Sequence, residues 1–415
     1  MSQVFRQVLP YTPSLVALLI SSLYSFVIFP HIPNSAHVLT DPDHFGIVGR
    51  NLFEGAGFSE NGVPTLTKGP IYPFVISLLF KLGGAPSLVF IQAFQCVLLS
   101  LGAYFVHQLS ARILLSDRLA FFTALLFSLH PLLHWYAPRV WLEIVLATLL
   151  LAISLAFVKL LERPTLALSL VCGALLGVAI LTKSVFILLP PLLGFFLIMA
   201  HRNRNVIAYS ALIIAASYLI VAPWTMRNYI VSQQIIPVHL NLGYNLVIGE
   251  WVERNFFRTP LSFGTPWDLA DVERSQLLFE QFGNADFSAL PELDVDRYLT
   301  EVSIQRITSE PIRFVKRIAI NSATFWYLGD TPPKTLAIIG LQVPLLLLAG
   351  AGLFKLWRRV PLICAFLALL VVYYWGLHGA IVGAFRYSMP LIPLLLPFAV
   401  YGAASWRSRH QPEDA

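Results

Sequence analysis

The chain has 415 residues, 57% hydrophobic and only 12% charged, with a formal net charge of +6. A soluble domain carries about 25% charged residues, so this deficit, spread over many apolar runs, excludes an ordinary soluble protein and reads as a polytopic membrane protein. The basic surplus sits in short turns between those runs, which excludes a nucleic-acid surface. Cys96, Cys172 and Cys364, an odd number inside apolar runs, exclude a disulfide framework and are expected as small core residues.

The first apolar run, near 9–30, has Arg6 before it and no Asp, Glu, Lys or Arg between Gln7 and Thr40. It is long and further spans follow, so a retained anchor is expected rather than a cleaved signal peptide. Next comes "TDPDHFGIVGRNLFEGAGFS", residues 40–59. Asp41 before Pro42 has the form of a helix start, Asp as N-cap and Pro at the first helical position. Phe45, Val48 and Leu52 give an apolar stripe that Gly55 and Gly57 end, which predicts a short amphipathic helix over 42–54 on the outer surface. Capping accounts for Asp41 but not for Asp43. "KGPIYPFVISLLFKLGG" is too short and too proline-interrupted for a span; it predicts a second interfacial helix over 70–82, with Lys68 at its entrance and Lys81 near its end.

Further spans, each near the 17–25 residues a bilayer requires, are predicted near 87–109, 119–134, 140–158, 165–182, 184–200, 206–223, 336–354, 360–377 and 388–405, ten with the first. "APRVWLEIVL" sets Arg139 and Glu143 four apart, where they would pair on one helix face. In "GALLGVAILTKSVFILLPP", Gly173 and Gly177 allow close helix contact. Lys183 stands there between two runs with almost no polar residues, a position that calls for an anion. "APWTMRNY" leaves a span with Trp224 as interfacial anchor and Arg227 just beyond. The segment 224–335 holds 13 of the 22 acidic residues, so it is expected outside lipid. Within it "IIPVHLNLGYNLVIG" reads as strand or loop, and 296–326 as helix from the spacing of Tyr298, Val302, Ile304, Ile307, Ile312 and Phe314. "GAFRYSMPLIPLLLP" brings Arg386 and Tyr387 to the start of the last span.

Arg6, Arg112 and Arg118, Lys159 and Arg163, Arg202 and Arg204, Lys355, Arg358 and Arg359, and Arg407 and Arg409 alternate consistently with both termini in the cytoplasm. The predicted organisation is an all-α polytopic membrane protein. It comprises an N-terminal transmembrane module 1–223 with a first outer loop 31–86, a small mixed extracytoplasmic domain 224–335, C-terminal transmembrane helices 336–405 and a cytoplasmic tail 406–415. Asp41, Asp43, Lys68, Arg139, Glu143, Lys183, Arg227 and Arg386 then all gather at the outer face. The ten histidines show no ligand spacing, and no HExxH, GxSxG, Walker or GxGxxG motif stands in a suitable context.

The order of an Asp four before an aromatic, "RNLFEGAGFS", "KGPIYPFVISLLFKLGG", "GVAILTK", "APWTMRNYIVSQQIIPVHLNLGYNLVIG" and "RYSMPLIPLLLP" resembles GT-C fold membrane glycosyltransferases, notably bacterial relatives of protein O-mannosyltransferases and of the lipid A aminoarabinose transferase. The resemblance covers most of 9–405, except 250–295. It implies transfer of a sugar from a polyprenyl-phosphate carrier to an acceptor lipid, glycan or protein outside the cytoplasm, in the inner membrane. It implies Asp41 as the catalytic carboxylate, Asp43 and Glu143 as candidates for further acidic positions, and Lys68 and Lys183 as residues that hold the donor phosphate; Arg227 and Arg386 are further cations that charge developing on that phosphate calls for. Substrate contacts are expected from Arg139, Tyr72, Asn245 and Tyr387. The acidic residue that often follows the catalytic Asp is Pro42 here. Metal dependence stays open, because Asp41 and Asp43 alone do not make a ligand set.

The chemistry of such a transfer asks for a base at the acceptor hydroxyl and cations at the leaving phosphate. A secondary transporter is the competing class, with a flippase for lipid-linked sugars or a non-catalytic assembly subunit behind it. Transporters place polar groups near the midplane on broken, repeated helices; here the charges gather at one face and no repeat is visible.

Overall fold

The structure is a computed structural model that describes residues 11–32, 41, 43–201, 203–256, 274–281, 283 and 290–407. Pro42, Arg6, Arg202 and Arg409, and much of 250–295, lie outside them. Helix α1 (Tyr11–Ser22) runs on through a π turn (Leu23–Ile28) to His31. The first outer loop then carries α2 (Phe45–Phe53), a two-stranded hairpin of β1 (Ser59–Glu60) and β2 (Val63–Pro64), and α3 (Ile71–Gly83). Helices α4 (Leu88–Leu114), α5 (Asp117–Ser128), α6 (Pro131–Tyr136), α7 (Glu143–Glu162), α8 (Leu166–Thr182), α9 (Leu189–Ala200) and α10 (Arg204–Ser232) follow. The second outer segment contributes α11 (Leu242–Asn255), α12 (Glu292–Ser309) and α13 (Pro311–Tyr327). The chain closes with α14 (Pro332–Leu356), α15 (Pro361–Ile381), a short turn of helix Phe385–Ser388 and α16 (Ile392–Arg407).

Seven of these segments are long and apolar enough to cross a membrane: Tyr11–His31, α4, α7, α10, α14, α15 and Phe385–Trp406. Two of the other three predicted spans form shorter apolar helices. Leu166–Thr182 and Ser184–Ala200 are separated by Lys183. The span expected over 119–134 is broken, because Pro131 starts a new turn after Ser128. The boundaries follow local chemistry: Ser116 caps α5 by accepting the Leu119 N–H at 3.4 Å, and Thr165 caps α8 through Leu168 N–H at 3.2 Å. Helix α10 does not stop at 223; it carries Pro223 internally and continues to Ser232. The "LNLGYNLVIG" stretch is helical from Leu242, not strand or loop. The described residues of 224–335 are therefore mostly helical, with 233–241 irregular, and the predicted 296–326 helix is two helices broken at Pro311.

The bundle is built around α7, 83% of whose apolar window is buried against 28% for α10 and α14. The expected close approach at Gly173 and Gly177 occurs against α10: a Cβ on Gly177 would stand 2.8 Å from Ile220 Cβ and 2.9 Å from the Ser217 carbonyl. Cys96, Cys172 and Cys364 are buried and free. Gly177→Leu should therefore lower thermal stability in detergent by about 1–3 kcal/mol through overpacking. Gly340→Leu, where a Cβ meets nothing within 4 Å, should leave the melting temperature near that of the parent.

Candidate active site

Helix α2 begins at Phe45, three residues later than the predicted 42, and Asp41 caps it from four residues upstream. One Asp41 carboxylate oxygen accepts the Phe45 N–H at 2.7 Å, and the other accepts those of Gly46 and Ile47. His44 between them takes the left-handed conformation at φ 58°, and its Nδ1 meets the Glu60 carboxylate on the hairpin. A Cβ on Gly46 would lie 2.9 Å from the Asp41 Oδ2, so the glycine lets the carboxylate lie against the backbone. Burial pushes the Asp41 carboxyl up to about 6 against the pull of those hydrogen bonds, and the charge of Asp43 adds to the rise.

Asp43 turns the other way, onto Arg386. The Arg386 guanidinium reaches both Asp43 oxygens through its two Nη groups and gives its Nε to Glu143, with its carbon 4.6 Å from the Trp141 ring. Burial alone would raise the Asp43 carboxyl, but the charge and hydrogen bond of Arg386, helped by Lys68 and Lys183, hold it below the usual carboxylate range. The second oxygen of Glu143 is buried without a hydrogen-bond partner. The expected Arg139–Glu143 pair is not formed: Arg139 precedes the helix that Glu143 begins, so the helical four-residue spacing does not apply. Arg139 is instead 1% exposed, donates to the Trp135 carbonyl, and stacks 4.0 Å from the Trp135 ring and 5.1 Å from that of Phe29.

Lys183 ends α8 in an extended conformation. Its ammonium lies 3.2 Å from His378 Nε2, 3.4 Å from the Tyr374 hydroxyl and 4.3 Å from the centre of the Tyr387 ring. His378 Nδ1 faces the Tyr374 carbonyl at 2.8 Å and must donate there, which leaves Nε2 as the acceptor for Lys183. The ammonium is thus held by rings and a neutral imidazole, while the carboxylates beside it face Arg386. The residue after Lys68, Gly69, presses on the end of α8 just before Lys183, where a Cβ would be 2.6 Å from the Leu181 carbonyl and 2.7 Å from that of Thr182. His239 closes this corner from the second outer segment. Burial pushes its imidazole down to about 4, against the pull of a hydrogen bond to Leu240, and the nearby charges of Lys68 and Lys183 add to the fall.

The structure thus brings Asp41, Asp43, Lys68, Glu143, Lys183, Arg386 and Tyr387 together. Tyr72 belongs with them: it is 1% exposed, edge-on to Phe45 at 5.5 Å, and its hydroxyl has no hydrogen-bond partner. Arg227 does not join. Because α10 continues past it, Arg227 sits on a helix face and donates to the Phe58 and Thr65 carbonyls at 3.0 and 2.8 Å. Asn245 donates to the Asn241 carbonyl one turn back on α11. Sequence reasoning missed His239, Tyr374 and His378. His378 carries the signal that marked Lys183, an ionisable group at the outer end of an apolar span; His239 carries none. Among the described residues no three His, Cys, Asp or Glu side chains are placed to hold one metal ion.

Residues 67–226 match the family model described as dolichyl-phosphate-mannose-protein mannosyltransferase. Lys68, Glu143 and Lys183 fall inside that match, and Asp41 and Arg386 outside it. No curated protein matches the chain. Among solved structures the chain is similar to the oligosaccharyltransferase of Archaeoglobus fulgidus in its apo form, with a TM-score of 0.61 at 15% identity, over 99% of this chain and 52% of that one. The same enzyme in complex with an inhibitory peptide and a dolichol-phosphate gives 0.58 at 12%, over 98% and 51%. ArnT from Cupriavidus metallidurans bound to undecaprenyl phosphate gives 0.45 at 18%, over 98% and 80%. The chain shares its fold with the Archaeoglobus fulgidus oligosaccharyltransferase, and it spans about half the length of those structures.

Removing the shared cation should be the most damaging single change at this site. Arg386→Leu leaves Asp43 and Glu143 facing each other unneutralised, which should cost about 3 kcal/mol or more and lower the melting temperature of the purified protein further than Asp43→Asn does.

Proposed function

We propose that this protein is a membrane glycosyltransferase that moves a sugar from a polyprenyl-phosphate carrier to an acceptor hydroxyl at the extracytoplasmic face of the inner membrane. The observation that carries this reading is that Asp41, a half-buried carboxylate capable of taking a proton, stands two residues before Asp43, which senses the charges of Lys68 and Lys183, while among the described residues neither lysine is in an ion pair with a carboxylate. The match to a dolichyl-phosphate-mannose family model over 67–226, and a fold shared with an oligosaccharyltransferase that has been captured with dolichol-phosphate, support it.

In this reading the acceptor oxygen attacks the anomeric carbon while its proton passes to Asp41. The bond from the anomeric carbon to the phosphate oxygen breaks, and its electron pair stays on the phosphate. Lys68 and Lys183 neutralise the charge that develops there. A carboxylate raised to about 6 suits the base, since catalytic groups work best with pKa values near the operating pH. Three of its acceptor sites serve α2, and an ionised carboxylate keeps at least one more for the substrate. Arg386, neutralised by Asp43 and Glu143, is suited to fixing those carboxylates rather than gripping phosphate, and Arg227 to holding the first outer loop.

Orientation follows from the basic turns. Arg112 pairs with Glu162 and Lys355 meets Ser405 at 2.6 Å, so turns from distant parts of the chain share the end of the bundle away from Asp41. Cysteines introduced over 290–330 should label from outside intact cells, and cysteines at 203–205 only after permeabilisation; outside labelling at 203–205 would reverse the assignment.

Asp41→Asn separates base from cap. It removes the proton acceptor and turns one capping oxygen into an N–H₂, so stability should fall by about 1 kcal/mol while donor-dependent transfer falls by about 10²–10⁴-fold. Asp43→Asn should retain a sizeable fraction of the rate. In the parent, kcat/KM should drop as pH falls through about 6, because the raised carboxyl becomes protonated there and a protonated Asp41 cannot accept the acceptor's proton. A flat profile down to pH 5 would remove Asp41 from that role.

A further inference from the structure

The loop that delivers Lys68 is held from the second outer segment. Glu292, the first residue of α12, accepts the Leu66 N–H at 2.6 Å on one carboxylate oxygen and the Thr65 hydroxyl at 2.7 Å on the other. Thr65 is 1% exposed and Leu66 7%, so these bonds, part-buried on the Glu292 side, link positions more than 220 residues apart. The neighbouring ties run the same way: the Leu240 N–H donates to the Leu66 carbonyl at 2.8 Å, and the Asn241 amide to that of Thr67 at 2.8 Å. Asp296, one turn after Glu292, in turn accepts the Asn241 and Gly243 N–H groups at 3.1 and 3.0 Å. Three consecutive residues, 65–67, are thus fastened to the α11–α12 unit. The next two are Lys68 and the glycine pressed on the Thr182 carbonyl beside Lys183.

We propose that Glu292 is a positioning residue for the donor phosphate: it anchors the 65–67 backbone so that Lys68 stands beside Lys183, making the second outer segment part of the donor site. This rests on the functional reading above. A carboxylate holding two donors fixes both the position and the direction of a short segment, whereas the Lys68 side chain is long and gains precision only from a fixed base. Glu292 touches neither lysine and acts through Lys68 alone, so its contribution must vanish when the Lys68 ammonium is removed.

The test is the binding of a fluorescent polyprenyl phosphate to the full chain in detergent, measured as Kd in a double-mutant cycle. Glu292→Ala should weaken binding by about tenfold. Glu292→Gln should recover part of that, because its carboxamide oxygen still accepts one of the two donors. In the Lys68→Ala background, Glu292→Ala should change Kd by less than about twofold. Thr65→Val, which removes a single hydroxyl from Glu292, serves where Glu292→Ala does not fold and should show a smaller loss with the same dependence on Lys68. Equal losses in both backgrounds, or no loss in either, overturn the proposal by making Glu292 a general structural residue. A parent protein that binds no polyprenyl phosphate overturns the functional reading itself, whereas a parent that binds and responds only to Lys68→Ala overturns this inference alone.

Discussion

The Arg386 guanidinium neutralises two carboxylates at once, the half-buried Asp43 from the first loop and the buried Glu143 from the first turn of α7. An unpaired charge in such a place is costly enough that the three groups constrain one another's positions. The constraint ties together segments 243 and 343 residues apart in the chain. It is reinforced where the Phe385 N–H donates to the Leu328 carbonyl at 3.0 Å and where Thr324 donates to the Gly383 carbonyl at 2.9 Å. Those bonds hold the start of the last span against the end of α13. The outer rim of the bundle is thus assembled around one cation.

That arrangement divides the charged groups by role. With Asp43 and Glu143 committed to Arg386, Asp41 has only backbone N–H groups as partners among the described residues, and burial raises its carboxyl to about 6. Lys183 has aromatic faces and a neutral His378, which orient an ammonium without cancelling it. The carboxylate proposed as the base and the cationic corner can share one rim because the one pair of carboxylates between them, Asp43 and Glu143, is already neutralised by Arg386. Proposed catalysis and observed packing share this one cause, and it explains why Arg227, although equally basic, falls outside: its donors are spent on the Phe58 and Thr65 carbonyls.

The differences between expectation and structure have the same origin. "LNLGYNLVIG" reads as strand or loop because a short apolar run with Asn and Gly carries no decisive period. It is helical because α11 is buried on several sides, with Glu250 bonded to Arg254 and Arg306, and Glu253 to Arg313 and Lys316. The Arg139–Glu143 spacing suggested a local pair, but a competitor 243 residues beyond Glu143 took the carboxylate. His239 carries no sequence signal and is recognisable only once its segment is placed near Lys68 and Lys183.

The sequence by itself determined the apolar segments, the interfacial helix after Lys68, the close contact at Gly173 and Gly177, and the residues around which the site is built. These depend on composition, local periodicity and the cost of charge at a membrane boundary, all of which are written along the chain. Tertiary structure alone decided which carboxylate faces a cation and which remains able to take a proton, since Asp41 and Asp43 are two residues apart and chemically identical. Their difference comes from Arg386, delivered by the far end of the chain, and from three backbone N–H groups whose direction is set by where α2 begins. Partner choice among ionisable groups depends on distance and burial, and neither is encoded in spacing along the sequence.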